Sequence, residues 1–245
     1  IVVWSAARGL ESQILKETFD RGGNVVIPSF AVGRTQVMLF YLRQIKQNDM
    51  VPEYKNFPVY VDSPLAVDAQ IFLENEESCF DEEALALIHQ GINPITFSGL
   101  KLTISTDESK AILDDYEPKV IISASGMCDA GRIKHHLKHN LWRPECTVLF
   151  VGYQSAGSPG RRILEGAEEI KIFGEPVAVR AEIKSINTLS GHADRDGLLQ
   201  WISAFTQKPA AIFVNHGDDE SCTGFAKTVS ETFGIPAFAP YSGSE

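Results

Sequence analysis

The chain contains 245 residues, of which 44% are hydrophobic, and it has a formal net charge of −10 at pH 7. The apolar fraction excludes a chain that is disordered throughout, and the acidic charge argues against nonspecific nucleic-acid binding over the whole surface. No apolar run approaches the ~20 residues of a membrane-spanning helix, so we expect no membrane association.

Apolar runs alternate with amphipathic segments, and this alternation predicts an α/β architecture. In chain order, helices are predicted over residues 10–21, 33–48, 64–72, 107–114, 134–141, 196–205 and 224–233, with further helical turns within 74–90 and 161–165. Strands are predicted over residues 24–28, 59–61, 97–104, 119–124, 146–153 and 210–214, and a β-ribbon over 169–186. Gly22 and Gly23 end the first helix, and Pro64 suits the first turn of another.

A strand, a polar turn and a helix follow one another at five places in the sequence. The turns lie at Pro28, Asp62, Ser125, His192 and His216. Ligands of open α/β sheets bind beyond the carboxyl ends of the strands. We therefore predict that the five turns converge on one cleft.

The turn after the first strand has the features of an anion site. Gly33 permits a close backbone approach, and the helix that follows offers free N–H groups. Arg34 can hold a phosphate through two parallel hydrogen bonds. The alternative is an ordinary strand-to-helix turn with a surface arginine. In the second turn, Asp62 can orient another group and Ser63 can cap the next helix.

The turn after the fourth strand also suits an anion, because Ser125 and Gly126 can present backbone N–H groups to it. The next helix carries His135, His136 and His139. Metal binding by this helix is disfavoured, since His136 occupies the position of the glutamate in a His-Glu-x-x-His motif. Packing and substrate contact are the favoured roles.

Two histidines lie in glycine-containing turns near the end of the chain. His192 follows Ser190-Gly191, and His216 follows Asn215, 24 positions later. Histidine is suited both to proton transfer near neutral pH and to zinc binding. The two turns look like halves of one site, although a lone histidine after a strand is more often structural.

The four cysteines show no Cys-x-x-Cys spacing, which argues against a zinc ribbon or a redox motif. They are Cys79, Cys128, Cys146 and Cys222. Reduced structural thiols are typical of the cytosol. We therefore expect a cytoplasmic protein.

Five ordered motifs carry a resemblance to a known family. They occupy residues 27–36, 61–66, 124–137, 190–194 and 214–218. In this order they resemble the β-CASP family of RNA-processing enzymes with a metallo-β-lactamase fold, over roughly residues 10 to 235. The resemblance implies an α/β chain. Residues 1–185 would form a β-CASP domain with a parallel-rich sheet flanked by helices, and residues 186–245 the C-terminal segment of a metallo-β-lactamase αββα fold.

The resemblance also implies a zinc-dependent ribonuclease that hydrolyses RNA phosphodiester bonds at a two-zinc site. By this resemblance His192 is the general acid, His216 is a zinc ligand, and Asp194 orients a histidine. RNA is the expected partner, and the residues expected to contact its phosphates are Gly33, Arg34, Ser63, Ser125, Gly126 and His136.

The sequence departs from the family pattern in one important respect. It contains no His-x-His-x-Asp-His cluster, and one histidine cannot hold a catalytic zinc, which takes about three protein ligands. Because the chain also begins at Ile1, we expect a fragment that is inactive alone. Exposed strand edges would favour a homodimer or aggregation.

Two other functions stay open at this point. The first is a non-catalytic module that binds RNA or a partner protein. The second is a lactamase-fold hydrolase of small molecules, which the β-CASP motifs disfavour. The presence of both motif histidines favours the ribonuclease.

Overall fold

Short strands and the helices between them build most of the protein. The computed structural model describes residues 2–74, 80–186, 193–241 and 243, and the chain divides into two units, residues 1–189 and 190–245. The helices of the first unit are α1 (Val2–Asp20), α2 (Arg34–Gln47), α3 (Pro64–Glu74), α4 (Glu82–Ile88), α5 (Thr106–Ala111), α6 (Ile133–Asn140) and α7 (Pro159–Leu164). Its strands are β1 (Val25–Pro28), β2 (Val59–Asp62), β3 (Leu100–Thr103), β4 (Val120–Ser123), β5 (Thr147–Phe150), β6 (Glu169–Ile172), β7 (Glu175–Ala178) and β8 (Glu182–Ser185).

A parallel sheet of six described strands forms the centre of the first unit. The strand order is β3-β2-β4-β1-β5-β8, and every neighbouring pair is parallel. All four residues are buried in β1, β2, β4 and β5, as expected for strands that helices cover on both faces. The carboxyl ends of the strands therefore meet at one edge, which we call the carboxyl edge.

Alternate residues of β1 belong to different halves of the hydrophobic core. Val25 and Ile27 lie in one cluster, which contains side chains of α1 and α2 such as Leu15 and Met38. Val26 lies in the other cluster, together with Leu137 of α6 and other side chains. Successive side chains of a strand point to opposite faces, so this alternation places α1 and α2 on one face of the sheet and α6 on the other.

The predicted order of helices and strands is confirmed for the first unit, with one correction. Residues 169–186 do not form a single ribbon. Strands β6 and β7 make an antiparallel hairpin, but β8 pairs parallel with β5 at the edge of the main sheet. The prediction was wrong here because the three strands have similar local patterns, and their pairing is set by contacts distant in sequence.

The second unit contains two helices and two short strands among its described residues. They are α8 (Arg195–Ser203), β9 (Ile212–Phe213), α9 (Asp219–Phe233) and β10 (Ala237–Phe238). Strands β9 and β10 pair in parallel, and the rings of Phe213 and Phe238 stack with centroids 5.7 Å apart. The last helix begins five residues before its predicted start, because Asp219 and Glu220 suit a first helical turn. The strand β10 was not predicted.

None of the described helices has the length and apolar character that a bilayer span requires.

Candidate functional site

Asp62, the last residue of β2, is fully buried at the carboxyl edge and accepts hydrogen bonds on both oxygens. Thr103 Oγ1 and Arg132 Nη1 lie 2.7 and 2.8 Å from Oδ1. Ser109 Oγ and His136 Nε2 each lie 2.6 Å from Oδ2. We call these five residues the Asp62 network.

The environment of Asp62 has opposing effects on its pKa. Burial raises the pKa, because a charge is poorly solvated in the protein interior. The hydrogen bonds from His136, Ser109, Thr103 and Arg132 act in the other direction and outweigh burial. The pKa of Asp62 is therefore held well below its ordinary value, and the carboxylate is ionised at neutral pH.

The network joins several elements because parallel pairing aligns the strand ends. Thr103 ends β3 directly beside Asp62, and Ser123 ends β4 on the other side. The Ser123 hydroxyl donates to the backbone carbonyl of Asp62 at 2.8 Å. Arg132 precedes α6 and also donates to the carbonyl of Ile104 at 2.6 Å. The network and the Ser123 hydrogen bond together fix β2, β3, β4 and α6 relative to one another.

His136, a predicted phosphate contact, is only 1% exposed. Its Nε2 is bonded to Asp62, and its Nδ1 is buried without a hydrogen-bond partner among the described residues. This geometry gives His136 a role in holding Asp62. Its contact with phosphate stays a prediction.

The turn between β1 and α2 holds Gly33 and Arg34. Gly33 adopts φ +81° and provides no side-chain cap for the helix. Two of the N–H groups that begin the helix already donate within the turn, from Arg34 to Val32 and from Thr35 to Phe30. Burial lowers the pKa of the half-buried Arg34 guanidinium, which stays charged at neutral pH. The turn thus presents a cation rather than a row of free amides.

The turn after β4 is packed closely against the turn after β1. A side chain at Gly126 would lie 3.3–3.4 Å from Phe30, so the two backbones approach each other here. The Ser125 N–H donates to Ala130, and the Ser125 hydroxyl donates to Asp129. The structure therefore brings two of the predicted anion turns together, with the N–H of Ser125 engaged inside its own loop.

Replacing Gly131 by alanine is expected to destabilise the protein by roughly 2–4 kcal/mol. Gly131 adopts φ +75°, and an added Cβ would lie 2.4 Å from the carbonyl oxygen of Ala124. Urea unfolding measures the effect. Gly22→Ala is the matched control, since Gly22 has φ +74° with open space around it and bears only the conformational cost of roughly 1–2 kcal/mol. Equal losses in the two variants would contradict a close contact at Gly131.

Two other predicted site residues lie at helix N-termini. Ser63 precedes α3, and the Ala66 N–H donates to its hydroxyl at 3.4 Å. Asp194 is the N-cap of α8 and accepts from the Gly197 N–H at 2.8 Å. Both side chains therefore have a structural role, and their predicted functions are not tested by these contacts.

The two motif histidines differ in what can be described. His192 lies outside the described residues. His216 is exposed in the loop after β9 and adopts φ +66°. Within the described part of the chain, no three His, Cys, Asp or Glu side chains are grouped as a metal site requires. His216 can serve as one ligand of a zinc ion, but the described residues do not supply the other ligands of a zinc site.

Sequence reasoning missed three members of the Asp62 network. Thr103, Ser109 and Arg132 were not among the candidate site residues, because single hydroxyls and an arginine near turns carry no distinctive pattern. The sequence feature that could have located the network is Asp62, an acidic residue at the end of a buried strand.

Comparison with known families supports the resemblance that the motifs suggested. The Beta-Casp domain model matches residues 35–163, which is more than half of the chain and includes the whole Asp62 network. The chain belongs to the β-CASP family. A second match, to the Zn-dependent metallo-hydrolase RNA specificity domain, covers residues 176–240 and includes Asp194 and His216.

Several curated relatives are similar to this β-CASP chain over most of its length. Ribonuclease TTHA0252 of Thermus thermophilus is 36% identical over 89% of the chain and 48% of the relative. Transcription termination factor FttA of Methanocaldococcus jannaschii is 32% identical over 93% of the chain and 36% of the relative. An RNase J-like protein of the same organism is 32% identical over 98% of the chain and 54% of the relative. The chain thus spans about a third to a half of these relatives.

Proposed function

We propose that this chain is part of a zinc-dependent ribonuclease that hydrolyses RNA phosphodiester bonds. The observation that carries the proposal is the succession of a Beta-Casp domain match and an RNA-specificity match of a zinc-dependent metallo-hydrolase in one chain. Relatives named as a ribonuclease and as an RNase J-like protein support it. Residues 1–185 are the proposed β-CASP domain and residues 186–245 the proposed lactamase segment.

Each proposed role uses the chemistry of one side chain. His216 is a proposed zinc ligand, and zinc would activate water for attack on phosphorus. His192 is the proposed general acid that protonates the leaving oxygen. Asp194 is proposed to orient a histidine. The positive charge of Arg34 is proposed to hold a phosphate at the carboxyl edge of the sheet.

The remaining proposed phosphate contacts are four residues in turns that follow strands of the main sheet and one residue of α6. They are Gly33, Ser63, Ser125, Gly126 and His136.

RNA is the proposed partner. Homodimerisation stays a prediction, which light scattering of the purified protein would measure.

We also propose a cytoplasmic location, on the basis of the cysteines. Three described cysteines, Cys128, Cys146 and Cys222, are buried free thiols. Burial raises the pKa of the Cys128 thiol to about 12, which keeps it protonated and unreactive. Unpaired buried thiols are typical of proteins that reside in a reducing compartment.

His216→Ala is expected to lower RNA cleavage by the full-length gene product more than about 100-fold. Mutating a residue that only hydrogen-bonds to a metal ligand typically lowers activity about 10- to 100-fold, and loss of the ligand itself should lower it further. The measurement is zinc content and cleavage of a 5′-labelled single-stranded RNA. His89→Ala is the matched control, since His89 is also exposed but lies in the first unit, outside the motifs.

The same assay applied to the 245-residue chain tests its dependence on the His-x-His-x-Asp-His segment, which its sequence lacks. We expect no cleavage from this chain alone. Stoichiometric zinc and cleavage from it would show that its own side chains complete the site. RNA binding without cleavage by the full-length product would instead establish a non-catalytic binding module.

A further inference from the structure

The turn between β6 and β7 carries a large apolar side chain in a costly backbone conformation. Phe173 adopts φ +52° and Gly174 adopts φ +82°. Two consecutive positive φ values are those of a type I′ hairpin turn, in which Asn-Gly is preferred. A bulky residue at positive φ is an outlier. Because Phe173 is 47% exposed, burial in the core does not offset this cost.

Helix α6 supports the Phe173 ring. Lys134 Nζ lies 4.8 Å from the ring centroid, and the His135 ring centroid lies 4.6 Å from it. An ion pair of 2.8 Å between Lys138 Nζ and Glu175 Oε2 ties the hairpin to the helix. The ring is therefore held in place, and a surface that is already ordered loses little entropy on binding a ligand.

The outward face of α6 is basic although the chain as a whole is acidic. Ile133 and Leu137 are buried on the inner face, whereas His135 and His139 are exposed. Lys134 and Lys138 are half-buried on the outer side. We call the set formed by Phe173, Lys134, His135, Lys138 and His139 the helix–hairpin patch. It combines two lysines, of which Lys138 is paired with Glu175, with an exposed aromatic ring, in a chain whose net charge is −10.

We propose that the helix–hairpin patch binds single-stranded RNA. A base would stack against the aromatic pair of Phe173 and His135, and Lys134 would contact a flanking phosphate. Aromatic rings beside cationic side chains are the usual means of binding single strands without sequence preference. Double-stranded RNA keeps its bases stacked inside the helix and offers none to the ring.

The patch deepens the proposed function, on which it rests for the choice of RNA as ligand. Its two lysines lie on the side of α6 opposite His136, which holds Asp62 at the carboxyl edge. A strand of RNA bound to the patch would therefore contact residues other than those of the proposed phosphate turns. The patch is thus a second proposed contact region, distinct from the phosphate turns of the first unit.

Phe173→Asn tests the stacking contact without weakening the turn. Asparagine tolerates positive φ and followed by glycine is the preferred type I′ sequence, so stability is expected to stay equal or rise. Loss of one stacked base should lower the affinity for single-stranded RNA about 5- to 100-fold. The probe is a fluorescent 2′-O-methyl oligouridylate of 12 nucleotides, bound to the full-length gene product and followed by anisotropy. Phe173→Tyr keeps an aromatic ring and should retain the wild-type affinity.

Lys134→Gln tests the phosphate contact. The slope of log affinity against log salt should become shallower by about 0.7, the value for one phosphate contact on a single strand. Lys55→Gln is the matched control, because Lys55 is an exposed lysine that precedes β2 and is not part of the helix–hairpin patch. The control should leave the slope unchanged.

The outcomes separate this proposal from the proposed function. Unchanged RNA affinity in Phe173→Asn, in a protein that still binds and cleaves RNA, would overturn the patch as an RNA site. Lowered affinity in Phe173→Asn together with normal affinity and lost cleavage in His216→Ala would support both. Absence of RNA binding by the unsubstituted protein would overturn both.

Discussion

Asp62→Ala is expected to lower the free energy of unfolding by about 3–5 kcal/mol. The substitution removes one member of a buried ion pair and leaves His136 and Arg132 without their carboxylate partner. It also removes the acceptor that joins Thr103 and Ser109 to the end of β2. Equilibrium urea unfolding, followed by far-UV circular dichroism, measures the loss.

Two further variants make the Asp62 result specific. Asp62→Asn keeps the size of the side chain but replaces one acceptor by a donor, so we expect an intermediate loss. Asp114→Ala removes an exposed carboxylate from the same unit and should change stability by less than about 0.5 kcal/mol. A loss in Asp62→Ala no larger than that in Asp114→Ala would contradict a stabilising network.

The pH dependence of the wild type gives an independent check on Asp62. The folded-state pKa of Asp62 is depressed below its ordinary value of 3.8, so the ionised side chain contributes its full stabilisation above that value. The contribution is lost as the pH falls through the depressed folded-state pKa. As the pH is lowered, the free energy of unfolding of Asp62→Ala should therefore fall less than that of the wild type.

Glu11→Gln is expected to stabilise the protein at alkaline pH. Glu11 on α1 is 1% exposed, and neither carboxyl oxygen has a hydrogen-bond partner among the described residues. Burial raises its pKa from 4.5 to about 8. Between these values the folded state holds a proton that the unfolded state has released, so stability falls as the pH rises.

The expected size of this effect follows from the shift. A shift of one pKa unit corresponds to about 1.36 kcal/mol. The free energy of unfolding of Glu11→Gln should therefore rise relative to that of the wild type by up to roughly 5 kcal/mol between pH 4.5 and 8, and the difference should then stay constant. Unfolding by urea at pH 5, 7 and 9 measures it. Glu17→Gln is the matched control, because Glu17 lies on the same helix and is half-exposed. Parallel pH curves for Glu11→Gln and wild type would show that the Glu11 carboxyl is ionised in the folded protein.

These two acidic residues illustrate how burial alone does not determine charge. Asp62 is ionised because four donors converge on it. Burial raises the pKa of Glu11 to about 8, and among the described residues no donor bonds to its carboxyl oxygens. The sequence shows an acid in both places. Only the position of distant side chains distinguishes them.

The sequence by itself determined the α/β class, the family and the order of most elements. Strands such as β1 and β4 were predictable because strands buried on both faces are nearly continuous apolar runs, and polar turns mark their ends. Gly33 and Arg34 were identifiable as a turn for the same local reason. The motif order then gave the family, which the domain matches confirmed.

Only the tertiary structure decided which residues meet. Asp62 is bonded to His136, which is 74 positions away, and the partners between them come from β3, α5 and the turn before α6. Likewise, β8 joined the main sheet rather than the adjacent hairpin. Local patterns report which face of an element is buried. Contacts between distant segments depend on strand order and register, which hydrogen bonding across the whole sheet determines.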